Sequence, residues 1–162
     1  MLPSSWEVRK QWELHGPGID MSAMKLAGFV KSINNLLDQA VVSLYEGAPV
    51  TPHEMDLLVP LRYAQSPLIA RRIADDLGLS RAGVSQGLAK LEARGLIERT
   101  PNPADRRAAL VSLTDAGREV VDDLFPRQLE IASRLLAGLG DRRSAVLGAL
   151  ETLADVLQSP NH

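Results

Sequence analysis

The sequence predicts a mainly α fold in which long N- and C-terminal helices flank a winged helix-turn-helix. Three observations predict it. Apolar residues recur every three or four positions over long stretches at both ends. A short helical hairpin in the middle is punctuated by Gly78. Directly after it, the pattern changes from helical to alternating, around a turn-rich loop with a basic tip.

Composition agrees. The 162 residues are 45% hydrophobic, 23% charged and only 4% aromatic, with Leu, Ala and Val dominating the apolar set. That mix suits helices packed on helices. Without cysteine there is no disulfide, thiolate metal site or thiol switch. No run of 18 apolar residues occurs, and the N-terminal stretch lacks the apolar core of a signal peptide, so a cytoplasmic location and no membrane partner are expected.

Taken in order, residues 4–15 suit a short helix closed by His15-Gly16-Pro17-Gly18. A long helix follows from about Asp20 to Tyr45, its stripe formed by Met24, Ala27, Val30, Ile33, Leu37, Val41 and Leu44. Thr51-Pro52-His53-Glu54 reads as a helix start, with Thr51 as cap, Pro52 in the first turn and Glu54 three after the cap. Ser66-Pro67 is expected to open the next helix, which ends at Leu77-Gly78. Ser80 caps a further helix to about Arg94, stopped by Gly95. Strands are expected at 96–100 and 108–113, around Pro101-Asn102-Pro103-Ala104-Asp105. Thr114 caps a long helix to about Leu139, with a bend expected at Pro126. A last helix carries the seam Val146, Leu150, Leu153, Leu157. The organisation is residues 1–50 (first helix and dimerisation helix), 51–113 (helix-turn-helix and wing) and 114–162 (C-terminal dimerisation helices), within one compact domain.

Charge is unevenly spread. Between Pro67 and Arg107 stand eight basic residues, Arg71, Arg72, Arg81, Lys90, Arg94, Arg99, Arg106 and Arg107, against five acids, in a chain of net charge −2. A basic middle between acidic flanks is expected of a local phosphate-binding surface. In the hairpin, Ala74 allows a close helix crossing, Gly78 a tight turn, and Leu79 is read as an apolar plug. Val84 and Leu88 face inward. Ser80, Arg81, Ala82, Ser85, Gln86 and Lys90 remain on the outer face, where Arg81 and Gln86 can reach base edges in a major groove. A plain helical hairpin with a polar face is the bland alternative. The wing argues against it, because Arg106 and Arg107 at the loop tip have no core role and suit the minor groove or its phosphates, while Asp105 can pair with an arginine and shape the tip. Gly83 and Gly87 each cost the second helix roughly 1 kcal/mol of propensity, for a reason the sequence leaves open.

The run Leu91-Glu92-Ala93-Arg94-Gly95-Leu96-Ile97-Glu98-Arg99, with Pro103-Ala104-Asp105-Arg106-Arg107 and Leu113-Thr114-Asp115-Ala116-Gly117-Arg118, resembles the MarR family of regulators. The resemblance implies a homodimer built from terminal helices. It also implies binding of double-stranded, pseudo-palindromic DNA, usually repressive, and release by a small molecule. It makes Arg107 the wing-tip arginine and Asp105 its supporting acid. Trp12 to Met24 is similar to the PecS-like, urate-responsive branch, which carries an extra first helix; Trp12 and Asp56 line up with ligand-site residues there. Two positions depart from that branch. Gly87 stands where an arginine is usual, and Arg72 replaces an acid, which points away from urate and toward another organic anion drawn by Arg72.

The remaining candidates have ordinary readings. Trp12 can clamp the first helix to the body, and Asp56 can favour its helix dipole. His15, His53 and His162 lack metal-ligand spacing. No nucleophile elbow or phosphate loop is present, so neither enzyme activity nor a cofactor is expected. A DNA-binding dimer without ligand response, and a protein-interaction dimer that has lost DNA binding, stay open at this point.

Overall fold

The computed structural model describes residue 11 and residues 22–158. The expected first helix lies outside the described residues, apart from Gln11, which is helical. Two compact units are present, residues 1–52 and 53–162.

In the first unit, helix α1 spans Ser22–Tyr45. Its last turns bury Val41 and Tyr45, but Met24, Phe29, Val30, Ile33 and Leu36 are exposed in the single chain. A helix this apolar does not present such a stripe to water without cause. Gly47, at φ 74°, ends it.

The second unit, from His53 on, contains all of α2 (Pro52–Tyr63) but its first residue; the helix starts at the Thr51-Pro52 signal. Next come β1 (Leu68–Ile69), α3 (Ala70–Leu77), α4 (Arg81–Ala93), β2 (Ile97–Thr100), β3 (Leu110–Leu113), α5 (Asp115–Leu135), a 3-10 segment (Leu136–Arg142) and α6 (Arg143–Gln158). The core gathers Met55 and Leu58 from α2, Ile73 and Ala74 from α3, Val84, Leu88 and Leu91 from α4, Val111 and Leu113 from β3, and Val121 from α5.

The sheet is antiparallel, in the order β1-β3-β2. β3 is central, pairing Leu68 with Val111 on one side and Ile97 with Leu113 on the other. The wing is therefore β2 and β3 with their connecting loop, as expected. β1 corrects the sequence reading, which placed Leu68 and Ile69 in a helix opened by Ser66-Pro67. Pairing with the open edge of β3 satisfies their backbone groups instead. The helix starts at Ala70, after an extended Ile69 that makes no side-chain cap bond.

Both helices of the hairpin end alike. Gly78 is left-handed at φ 64°, and the Leu79 amide donates to the Ala74 carbonyl. Gly95 is left-handed at φ 69°, and the Leu96 amide donates to the Leu91 carbonyl. A side chain at either position would be strained, so the chain turns where glycine allows it. Ala74 is 1% exposed, consistent with a close helix crossing. Leu79 is not the expected plug. It is 48% exposed, and the turn is closed by backbone bonds instead.

Thr114 knots the wing to α5. Its hydroxyl accepts from the Gly117 amide and donates to the Gly95 carbonyl, while its amide donates to the Leu96 carbonyl. The Cα of Gly117 lies so close to the Leu96 carbonyl oxygen that a Cβ would overlap it. This contact accounts physically for the Gly95-Leu96 and Thr114…Gly117 pattern. α5 ends earlier than expected, at Leu135, and the chain passes through the 3-10 segment with Gly140 in a non-helical conformation. In α6 the predicted seam is largely exposed: Val146, Leu150 and Leu157 all reach solvent.

An ion pair ties α2 to α5. Arg62 Nε and one terminal nitrogen donate to the two carboxylate oxygens of Asp122, at 2.8 and 3.1 Å. The guanidinium also lies over the Tyr63 ring, which meets Phe125 at a tilt. The hydrogen bond from Arg62 holds the Asp122 carboxyl below its ordinary 3.8. The pair therefore stabilises the fold above about pH 4, and its contribution is lost as pH falls through the lowered value.

Two outcomes follow from these contacts. Gly117→Ala should destabilise by about 1–3 kcal/mol, because backbone must move to admit the methyl; an unchanged midpoint in urea unfolding would remove the Leu96 contact from the account. Asp122→Asn should lower the melting temperature near pH 7, with the difference from wild type shrinking as the buffer is taken toward about pH 2. A gap independent of pH would mean that the pair acts through packing alone.

Candidate nucleic-acid interface

The outer face of α4 is built by what the inner face must bury. Val84, Leu88 and Leu91 are at most 1% exposed and fix the rotation of the helix. Arg81, Ala82, Ser85, Gln86 and Lys90 are consequently exposed together. Ser80 Oγ accepts from the Gly83 amide at 3.1 Å, so this hydroxyl is committed to capping. Gly83 sits against that cap, a Cβ there falling 3.0 Å from Ser80 Oγ. Gly87 has a different reason. A Cβ would lie 2.5 Å from Leu57 Cδ1, so α2 meets bare α4 backbone at this point. No arginine fits there without moving Leu57.

Beside that contact stands Glu54, the one buried charged side chain among the described residues. It accepts a hydrogen bond from Arg94, whose Nε also donates to the Lys90 carbonyl. Glu54 thus serves the end of α4 rather than only its own helix start. The link spans forty positions of sequence, and no local pattern announces it.

The basic residues of the middle segment divide into two groups. Arg94 pairs with Glu54, Arg99 with Glu92 at 3.1 Å, and Arg72 with Asp76 at 2.7 Å. Asp75 lies 3.6 Å from Arg71 and 3.8 Å from Arg81. The Arg71–Asp75 spacing of four was visible in the sequence, whereas the reach of Asp75 across the turn to Arg81 was not. Among the described residues, Lys90, Arg106 and Arg107 form no ion pair. All three are exposed, one on the outer face of α4 and two at the wing tip.

The wing tip is shaped by acceptors bonded to backbone. Asp105 Oδ1 accepts from the Arg107 amide at 2.9 Å, and the Asp105 carbonyl accepts from the Ala108 amide at 3.1 Å. Asn102 closes a similar turn on the Ala104 amide. Asp105 bonds the Arg107 backbone amide, which shapes the turn at the tip.

Of the expected ligand residues, Trp12 lies outside the described residues. Among the described residues, Asp56 lines a cavity and Arg72 does not line it. Arg72 is two-thirds exposed on α3, and its pKa is raised further by its hydrogen bond to Asp76. Asp56 lines a cavity of about 280 Å³, together with Met55, Val59 and Pro60 of α2, Leu77, Leu79, and Phe125 and Gln128 of α5. The cavity was not legible in sequence, because its walls come from three separated segments. Among the described residues, no cluster of three His, Asp or Glu side chains could hold a metal ion, and no helix is long and apolar enough to cross a membrane.

Known proteins resemble the chain along this same architecture. Residues 48–108 match the MarR family. The HTH-type transcriptional regulator PecS of Dickeya dadantii is 26% identical over 149 residues, 89% of this chain and 88% of PecS. Among solved structures, the transcriptional repressor CouR bound to a 23-mer DNA duplex is 28% identical with a TM-score of 0.68, covering 84% of this chain and 98% of CouR. CouR from Rhodococcus jostii RHA1 bound to p-coumaroyl-CoA superposes with a TM-score of 0.70 at 21% identity, covering 85% of this chain and 94% of CouR. The helix-turn-helix, the wing and the flanking helices are thus shared in order with MarR-type transcriptional regulators, which the chain resembles along most of its length.

Proposed function

We propose that the chain is a cytoplasmic, homodimeric repressor that binds a pseudo-palindromic operator in double-stranded DNA and leaves it when a small molecule binds. The observation that carries the reading is the placement of the uncommitted cations. Among the described residues, most basic side chains of the middle segment face an acid, whereas Lys90, Arg106 and Arg107 face none, and they lie on the exposed face of α4 and at the wing tip. Cations left unneutralised on a helix face and a ribbon tip suit phosphate and groove contacts.

In this reading α4 lies in the major groove. Arg81 and Gln86 reach base edges, Ala82 and Ser85 allow close approach, and Ser80 and Lys90 flank the backbone. Arg107, with Arg106 beside it, enters the minor groove from a tip held by Asp105. The exposed apolar residues of α1 and of the α6 seam supply a dimer interface. Two reading helices then sit about 34–36 Å apart, one turn of DNA. Similarity to CouR, solved both on DNA and with p-coumaroyl-CoA, supports DNA binding and ligand response together. Arg72, the cation expected to draw an organic anion, would have to exchange its bond to Asp76 for one to the ligand. Trp12 and Asp56 complete the expected ligand set.

Arg107→Ala should weaken binding to a selected operator on all sequences alike and reduce the slope of log K against log salt by about 1. Titrations in a fluorescence-anisotropy assay at several salt concentrations measure both, and an unchanged slope takes the wing out of the interface. Arg81→Ala should instead relax preference at one position of each half-site, costing about 1–3 kcal/mol on the preferred base only. Selection from a random DNA pool shows this directly, and an unaltered consensus would assign Arg81 to the backbone.

A further inference from the structure

Two charges beside the Gly78 turn oppose their own helices. Asp75 stands in the last turn of α3, at the negative end of that helix dipole, and Arg81 is the first residue of α4, at the positive end of its own. The last turn of α3 holds no base, and the first turn of α4 no acid. Arg71 and Asp75, with the base N-terminal, are also in the weaker order for a helical pair. All three side chains are more than half exposed, so their contacts add little to stability. Yet the Asp75 carboxylate is divided between two arginines. Its Oδ1 lies 3.8 Å from a terminal nitrogen of Arg81, and its Oδ2 lies 3.6 Å from Nε of Arg71. Arg72, whose charge Asp75 also favours, is bonded to Asp76. Charges set against local preference and matched only across a turn are expected where function, not folding, places them.

We propose that Asp75 is a positioning residue for Arg81, holding the guanidinium for a guanine edge in the major groove and away from the phosphates. Arginine carries five N–H donors in a planar fork, so a contact at one terminal nitrogen leaves a pair free for guanine O6 and N7. The contact is weak in the free protein and strengthens once DNA displaces water around it. The carboxylate also repels phosphates. That repulsion weakens binding to every sequence alike, and the base contact offsets it only at the right site. The proposal rests on the reading of α4 as the DNA-reading helix, and names the base that Arg81 takes and the group that aims it.

The test uses the full chain, a duplex selected from a random DNA pool, and fluorescence anisotropy over a range of salt. Arg81→Ala identifies the base pair that Arg81 reads, expected to be G·C. At that pair, Asp75→Asn should lower the wild-type preference roughly two- to fivefold. The same change made in Arg81→Ala should lower it no further. On unrelated DNA, Asp75→Asn should bind tighter, with a salt slope steeper by about 1 as Arg81 turns to a phosphate, and the double variant should lack that steepening. Asp76→Asn, which removes an equal charge one position along, should tighten binding to unrelated DNA but keep the preference. Asp75→Ser takes the place of Asp75→Asn if the latter unfolds. An unchanged preference in the Asp75 variant, an equal loss in Asp76→Asn, a loss that persists without Arg81, or a base pair other than G·C overturns the proposal. A consensus indifferent to Arg81→Ala overturns it while DNA binding stands. A wild-type chain that selects no sequence overturns the reading of α4 and the proposal together.

Discussion

The contact between α2 and α4 organises the second unit. Leu57 rests on the bare backbone of Gly87, and Glu54 reaches past it to Arg94 at the end of the same helix. One contact sets how near the helices come, and the other ties the end of α4 to α2, adding to the rotation that Val84, Leu88 and Leu91 fix. Breaking a fully buried pair by removing one partner costs about 3–5 kcal/mol. This pair is only part-buried, with Arg94 38% exposed, so solvent screening puts it below that range. Its greater value is in specificity, since a carboxylate buried beside the reading helix tolerates one position of that helix and not its neighbours. The outer face of α4 is useful only because this inner register is fixed.

The same constraint explains how the wing keeps its aim. α4 ends at Gly95, whose carbonyl accepts from Thr114, and Thr114 in turn caps α5 through Gly117. The strands therefore leave and return at points tied to α4 and α5 within a few residues of each other. Arg99, bonded to Glu92, adds a side-chain strut from β2 back to α4. β1 covers the far edge of β3, which leaves the wing loop as the part of the ribbon with few restraints beyond its own turns. Rigid roots and a locally held tip suit the groove contact proposed for Arg107, because the entropy of ordering the tip is largely met before binding.

Much of this was legible in the sequence, for identifiable reasons. Ser80 and Thr114 announce helix starts through cap bonds, Thr51-Pro52 through residue type, and Gly78 and Gly95 announce stops through backbone freedom, so these boundaries fall within a residue or two. The exposed reading face follows from Val84, Leu88 and Leu91 by periodicity alone. What stayed hidden depends on distant partners. Leu68 and Ile69 look helical until β3 is present to pair with them. Leu79 looks like a plug until backbone bonds are seen to close the turn without it. Glu54 looks like half of a capping box, and its partner lies forty residues away. The propensity cost of Gly87 is visible in sequence, but its cause is a side chain on another helix.

These relations give α2 two distinct faces, and a route from ligand to DNA follows. Glu54 and Leu57 engage α4, while Met55, Asp56, Val59 and Pro60 line the cavity on the other side, and Arg62 fixes the far end to Asp122 on α5. A ligand in the cavity can act on DNA only through a difference in its affinity for two placements of α2, whatever its total affinity. With Arg62 held by Asp122, such a difference is concentrated at the opposite end of the helix, where Glu54 and Leu57 set the position of α4. A coupling of about 1–3 kcal/mol there changes occupancy roughly 5- to 150-fold. The tight fit at Gly87 favours transmission over absorption. On the α4 side of the contact there is no side chain to rearrange, so a shift of Leu57 is met by its own rotamer or by the α4 backbone.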